Sequence, residues 1–252
     1  MRLTVLGSSA SQPAAGDACS GYLVTHERAS VLLDCGAGTL GRLQEHVALD
    51  DLSAIVISHL HPDHFSDLIP LRYGRRYGEA GAREIPVFLP PGGIAYLHGL
   101  AAALSKTRPF WDGALRLQEY APGMAIAAGV VVVEPVEVVH GIRSFGMRVQ
   151  AGGRCLAYSS DTVMCDEVQA LAAGAHVLLA ENTLGGGAPA HHEPVTHLSA
   201  EQAGLVAARA GVEMLVLTHF WHTADREQAR TEAASTFQGR ILVACPGLSV
   251  EG

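Results

Sequence analysis

The hydrophobic pattern of this chain is a succession of short apolar, β-branched runs set between polar or helix-period stretches. Such runs cover residues 3–7, 21–25, 30–34, 54–58, 85–89, 130–140, 145–150, 155–159, 177–181, 214–218 and 241–244. Runs this short and this apolar predict buried β-strands. Helical patterns lie between some of them, over 39–47, 63–77, 93–105, 164–173, 199–210 and 225–237. Strand follows strand in the first half, and strands alternate with helices in the second. No linker, low-complexity tract or solenoid-length repeat interrupts the pattern. The expectation is one domain over 1–252, with mixed sheets and helices outside them. One irregular stretch, 185–196, carries Gly185, Gly186, Gly187, two prolines and the pair His191-His192. It reads as a loop over or beside a site.

Composition narrows the class. A chain of 252 residues is long enough to bury a substantial core. Its formal net charge of −8 makes it a poor general binder of nucleic acid, because neutralising phosphates needs a surplus of Lys and Arg. Lys106 is the sole lysine, so nearly all positive charge is Arg. The five cysteines, Cys19, Cys35, Cys155, Cys165 and Cys245, are odd in number and irregularly spaced, with no CxxC. That pattern argues against a disulfide framework or a Cys-based zinc site and points to a reducing cytoplasm. The apolar run near Met1 is too short for a signal peptide and reads as a first strand. No apolar run approaches ~20 residues, so no membrane span is expected.

Candidate chemistry is concentrated at strand ends. The segment Ser58-His59-Leu60-His61-Pro62-Asp63-His64 follows the apolar run 54–57 and places three imidazoles and a carboxylate within six residues. Pro62 and Asp63 suit a helix opening, since proline tolerates the first turn and an acid favours the positive end of the helix dipole. The ligands therefore sit on a tight strand-to-helix turn. His with carboxylate suits Zn²⁺, and also Mn²⁺ or Fe²⁺. Three further apolar runs each end in a ligand-type residue: His140 after 136–139, Asp161 after 156–160 and His219 after 214–218. Open α/β sheets place their sites at that edge. Taken alone, each of these three would read as a structural residue; beside an HxHxDH cluster they read as ligands.

These residues resemble the metallo-β-lactamase superfamily, whose signature HxHxDH is His59 to His64 here. The single ligands His140, Asp161 (in Ser159-Ser160-Asp161-Thr162) and His219 are similar as well. So is Leu32-Leu33-Asp34-Cys35-Gly36-Ala37-Gly38, where the family's Asp braces the ligand loop. The resemblance spans about residues 3 to 245 and implies a four-layer αββα sandwich, two mixed β-sheets flanked by helices, with the metals at one edge. It implies that His59, His61 and His140 hold one metal, that Asp63, His64 and His219 hold a second, and that Asp161 bridges. An Asp rather than a Cys at 161 resembles the binuclear hydrolases more than most true β-lactamases. His at 61, usually Glu in flavo-diiron members, argues against an oxygen-reducing role. The nearest branch is ribonuclease Z-like and cyclic-nucleotide phosphodiesterase-like. Ala180-Glu181-Asn182-Thr183 is similar to its acidic motif and His197-Leu198-Ser199 to its His motif. In that branch the His approaches the scissile phosphate and the Glu orients it. No Gly/Pro-rich insertion corresponds to a tRNA-gripping arm, so tRNA 3′ processing is the lesser expectation. The resemblance also implies a homodimer.

The expected chemistry is hydrolysis by metal-bound hydroxide, because a bound divalent ion lowers the pKa of water from about 15.7 to roughly 7. Asp63 is placed to take the nucleophile's proton as well as to bind metal. His197 is a candidate to stabilise phosphate charge or protonate the leaving oxygen, with Glu181 holding its tautomer. The plainer readings are a residue ahead of the helix cap Ser199 for His197, and a strand-end acid for Glu181. Arg72, Arg75 and Arg76 could meet a substrate phosphate, although a solvated helix face is the simpler expectation. His191 and His192 read as loop surface, and Cys35 and Cys165 as packing residues. Trp221, His222, Ser8 and Ser9 are candidates to line the pocket. The function expected is a phosphodiesterase acting on a small phosphodiester or cyclic nucleotide with two divalent ions. Rivals are an acyl hydrolase (thioester, lactone or β-lactam) and a non-catalytic binding module, the latter opposed by the intact ligand set. Neither a membrane nor long nucleic acid is an expected partner.

Overall fold

The structure, a computed structural model, describes residues 1–78, 83–105, 109–188 and 196–251. In chain order the strands are β1 (Arg2–Gly7), β2 (Gly21–His26), β3 (Ala29–Leu33), β4 (Ala54–Val56), β5 (Ile85–Leu89), β6 (Leu115–Glu119), β7 (Ile126–Ala128), β8 (Val131–Val138), β9 (Ser144–Ala151), β10 (Arg154–Tyr158), β11 (Val177–Glu181), β12 (Met214–Thr218), β13 (Arg240–Val243) and β14 (Ser249–Glu251). The helices are α1 (Thr39–Leu43), α2 (Pro62–Phe65), α3 (Leu68–Tyr77), α4 (Gly93–Leu104), α5 (Asp166–Ala172), α6 (Ala200–Ala210) and α7 (Arg226–Ala234).

Side-chain alternation along these strands decides the layering, because successive residues of a strand face opposite sides of its sheet. Val31 and Leu33 of β3 face a core shared with Leu156 and Tyr158 of β10 and with Val177 and Leu179 of β11. Leu32 of β3 and Ile55 of β4 face the other way, onto Leu43, Leu68, Leu71 and Leu97 of the helices. In the second half, Leu178, Leu215 and Leu217 turn outward onto Val168, Ala203, Val206 and Ala229. Strands apolar on both faces, with one core between the sheets and one beneath each helical layer, make the four-layer αββα sandwich. Both sheets have seven strands and both are mixed. The first has the order β14-β1-β2-β3-β4-β5-β6 and the second β13-β12-β11-β10-β9-β8-β7.

Strand direction positions the site. β3, β4, β5 and β6 run parallel, as do β10, β11, β12 and β13. β9 is antiparallel to both β8 and β10, so β8 and β10 point the same way. The segments that follow β3, β4, β8, β10 and β12 carry Asp34, His59–His64, His140, Asp161 and His219, and β11 ends in Glu181 with Thr183 just beyond, so each sheet delivers its share at the carboxyl ends of its strands.

The structure departs from the expected elements in two ways. β6, β7 and β14 add strands that the apolar pattern does not show, and each lies at the edge of its sheet. Edge strands carry polar or interrupted sequences, as Leu115–Glu119 does. The helix expected over 63–77 is two helices. Between them the Asp67 N–H donates to the Cys35 carbonyl, and its Oδ2 accepts from the Leu40 N–H at 2.8 Å. Binding to the loop after β3 breaks the helix there. Among the described residues no helix is long and apolar enough to cross a membrane, and all five cysteines are free.

Candidate metal centre

The turn from β4 into α2 carries His59, His61, Asp63 and His64, and Asp34 holds it in place. The Asp34 carboxylate is fully buried and accepts four hydrogen bonds. Oδ1 takes the Ser58 N–H (2.7 Å), while Oδ2 takes Ser58 Oγ–H (2.8 Å), His64 Nδ1 (2.8 Å) and Tyr158 O–H (2.7 Å). Gly36 lets this loop lie directly on the ligand turn, since a Cβ there would stand 1.9 Å from the Asp63 carbonyl oxygen. Ser11, Asp34, Ser160 and His219 are four of the five non-glycine residues with positive φ among those described. All four sit at this centre. Such conformations cost about 1–3 kcal/mol each and persist where surrounding contacts over-determine them.

The seven candidate ligands converge as two sets. His59, His61, His140 and Asp161 form one, and Asp63, His64 and His219 the other, while Asp161 and His219 also group with His197. Asp161 faces both. Its Oδ2 lies 3.7 Å from His59 Nε2 and 3.9 Å from His140 Nε2, and its Oδ1 lies 3.4 Å from His64 Nε2. The set is almost entirely buried; His61 is the more open member.

Ser58 spends its hydroxyl proton on Asp34, so His59 Nδ1, 3.0 Å from Ser58 Oγ, must be the donor there. His140 Nδ1 donates to the Thr196 carbonyl (2.9 Å) and His64 Nδ1 to Asp34. The other ring nitrogens of His59 and His140 therefore carry lone pairs into the centre. His61 Nδ1 stands 3.1 Å from the first and 3.2 Å from the second. At most one proton is available between three converging nitrogens. In the second set His64 Nε2 and Asp161 Oδ1 are buried without a hydrogen-bond partner. Lone pairs and orphaned polar atoms packed this tightly fit divalent cations.

The electrostatics agree. Burial would raise the Asp161 carboxyl, but His219, His64 and His59 hold it well below the usual carboxylate range. Asp63 is likewise held low against its burial, by His64 and His219. Burial and the neighbouring His64 push His59 well below the ordinary imidazole value, and burial with His140 lowers His61. Neutral imidazoles beside ionised carboxylates are the forms that bind metal. His64 goes the other way: burial opposes its charge, yet Asp161, Asp34 and Asp63 push it up.

His197 and Glu181 join the centre. Glu181 is fully buried; Oε1 accepts from the Thr162 N–H and His197 Nδ1 (both 2.9 Å), and Oε2 from the Thr183 N–H (3.0 Å) and Oγ1 (2.7 Å). Burial opposes protonation of His197, but the Glu181 carboxylate outweighs it and pushes the imidazole up to about 9. The His197 ring is partly exposed and packs against His140 and His219.

Other candidates fall elsewhere. The Arg72 guanidinium is buried, donates to the Phe110 carbonyl (2.7 Å) and stacks 4.3 Å from its ring centroid. Arg75 pairs with Asp50 and the Arg83 carbonyl, both at 2.6 Å. These two are structural, neither solvated nor free for a phosphate; only Arg76 is exposed. Ser8 donates to Asp17 rather than facing the ligands. Ser9, Trp221 and His222 line an open cleft of about 390 Å³ with Asp17 and Arg226. Cys35 is a buried packing residue and Cys165 precedes α5. His191, His192 and Lys106 lie outside the described residues. Sequence reasoning missed Ser11, whose N–H donates to Asp63 Oδ2 (2.7 Å), and Tyr158. A backbone donor leaves no trace in residue type, and Tyr158 reads only as an apolar strand residue.

A family model described as the Beta-lactamase superfamily domain matches residues 29–220. The chain belongs to the beta-lactamase superfamily. The probable metallo-hydrolase YhfI of Bacillus subtilis (strain 168) is 29% identical over 255 residues, covering 100% of both chains. Its crystal structure superposes with a TM-score of 0.88, at 26% identity over 100% of this chain and 99% of that one. Rv1339 of Mycobacterium tuberculosis (strain ATCC 25618 / H37Rv) is 36% identical over 254 residues, covering 96% of this chain and 88% of the relative. A ribonuclease Z of Nocardia farcinica (strain IFM 10152) is 31% identical over 293 residues, covering 96% and 94%. The fold is thus the metallo-β-lactamase fold, shared with metallo-hydrolases, and its His/Asp cluster is compatible with a divalent metal site.

Proposed function

We propose that this superfamily member is a binuclear metal-dependent hydrolase that cleaves a small phosphodiester, with cyclic nucleotides among the candidates. His59, His61 and His140 hold one ion, Asp63, His64 and His219 the other, and Asp161 spans both; the mixed imidazole and carboxylate set suits Zn²⁺. Bound divalent ions supply a nucleophilic water at neutral pH and neutralise charge on a phosphoryl oxygen.

The observation that carries the reading is the buried Glu181, which accepts from His197 Nδ1 at 2.9 Å and holds that ring against His140 and His219 of the cluster. A protonated ring at this position attracts an anionic phosphate and gives a proton to a leaving alkoxide. An alkoxide is a poor leaving group without that proton, whereas a thiolate leaves unaided, with a pKa near ~8.5. Asp63, oriented by the Ser11 N–H, takes the proton of the attacking water. The likeness to a ribonuclease Z supports phosphodiester chemistry, while a net charge of −8 favours a small substrate over tRNA. Acyl hydrolysis of a thioester, lactone or β-lactam is the second reading, because the same ions would serve a carbonyl. The test compares kcat/KM of the Zn²⁺-loaded protein on bis-p-nitrophenyl phosphate, cyclic nucleotides, a thioester and nitrocefin. Phosphodiesters are expected to lead. A thioester or lactone turned over far faster than any phosphodiester would overturn the assignment.

A further inference from the structure

Thr183 lies two residues past the end of β11, is buried, and joins three groups of the centre. Its Oγ1 stands 2.7 Å from Glu181 Oε2, 2.8 Å from His219 Nδ1 and 3.2 Å from His197 Nδ1. A hydroxyl has one proton to give. Were it given to His219, two oxygens would face each other at 2.7 Å with lone pairs alone. The proton therefore goes to Glu181, and His219 Nδ1 must donate to Thr183 Oγ1. In the neutral ring His219 Nε2 then carries a lone pair 3.2 Å from Asp63 Oδ2, the arrangement of two ligands sharing one cation. The Glu181 carboxylate cannot take the His219 proton itself. Its four acceptor positions are filled by the Thr162 N–H, the Thr183 N–H and hydroxyl, and His197 Nδ1.

We propose that Thr183 is a positioning residue: its hydroxyl fixes His219 in the Nδ1–H tautomer and ties that ring to the carboxylate that holds His197. One buried acid then orients a metal ligand and the substrate-side histidine together. The centre uses the same device elsewhere, where the Ser58 hydroxyl accepts from His59 Nδ1 and donates to Asp34. The assignment rests on the reading that His219 and Asp63 share an ion.

The test is metal affinity without substrate. Ion-free wild type, Thr183→Val and Thr183→Ser are titrated with Zn²⁺ against a chromophoric chelator, and with Co²⁺ to follow its visible spectrum. Removing such an outer partner weakens metal binding by about 10–100-fold. Thr183→Val is expected to lose that much at one of the two ions and to change the Co²⁺ spectrum, while the other ion binds as in wild type. Thr183→Ser keeps the hydroxyl and should restore both. Should Thr183→Val fail to fold, Thr183→Ala replaces it with the same expectation. Equal affinity in wild type and the hydroxyl-free variant would overturn the assignment alone, as would a Ser variant no better than Val. A wild type that takes up a single ion would overturn the two-ion reading and this assignment with it.

Discussion

Replacing Asp34 by Asn tests whether one buried acid organises both metal sites. The backbone should accept the change, because Asp34 sits at φ 59° and Asn tolerates the left-handed region as well as Asp does. Hydrogen bonding should not. Oδ2 takes three donors and Oδ1 takes the Ser58 N–H at 2.7 Å. An amide that turns its oxygen to the three donors points its NH₂ at the Ser58 N–H, donor against donor. The reverse orientation sets NH₂ against all three. An unpaired buried donor costs about 1–3 kcal/mol, and the remaining bonds lose a charged acceptor that roughly doubles their strength. Together these predict a loss of about 2–4 kcal/mol in the ion-free protein, read from urea unfolding. Because His64 bonds to Asp34 directly and His59 through Ser58, both ions should bind about 10–100-fold more weakly, read by chelator competition. A variant with unchanged affinity for both ions, and a stability within about 1 kcal/mol of wild type, would refute the bracing role.

Three further outcomes follow from the same geometry. Asp161→Ala should lose both ions and activity together, measured as metal content by elemental analysis against about two ions per wild-type chain; full occupancy with full turnover would disprove the bridge. His197→Ala should keep its metal yet lose roughly 10²-fold or more in kcat on the phosphodiester, and normal turnover would leave it only its place ahead of the cap of α6. Glu181→Gln removes the carboxylate that raises His197, so the ring loses its proton at lower pH. The alkaline limb of the kcat–pH profile should move toward neutrality, and an unmoved limb would separate His197 from Glu181.

Much of this candidate centre is legible in the sequence because its candidate ligands are local or terminal. His59, His61, Asp63 and His64 share one turn, and His140, Asp161 and His219 each close an apolar run, so chain order alone marks them. The core strands show for a related reason: burial on both faces demands unbroken apolar runs such as 177–180. Of the edge strands, β6 stays hidden because polar residues interrupt it (Leu115–Glu119), and β7 and β14 because each is only three residues long. What the tertiary structure decides is which polar atoms meet. Arg72 looks like an exposed helix cation until Phe110, 38 residues on, covers it. Thr183 is one more small polar residue until the parallel pairing of β11 and β12 sets Glu181 opposite Thr218 and brings His219 to its hydroxyl. Residue types and their spacing determine the inventory of candidate ligands. The direction of each proton, and with it which nitrogen of each ring is free for a cation, depends on distances between segments up to 156 residues apart, such as Asp63 and His219, and only the packed sheets set those.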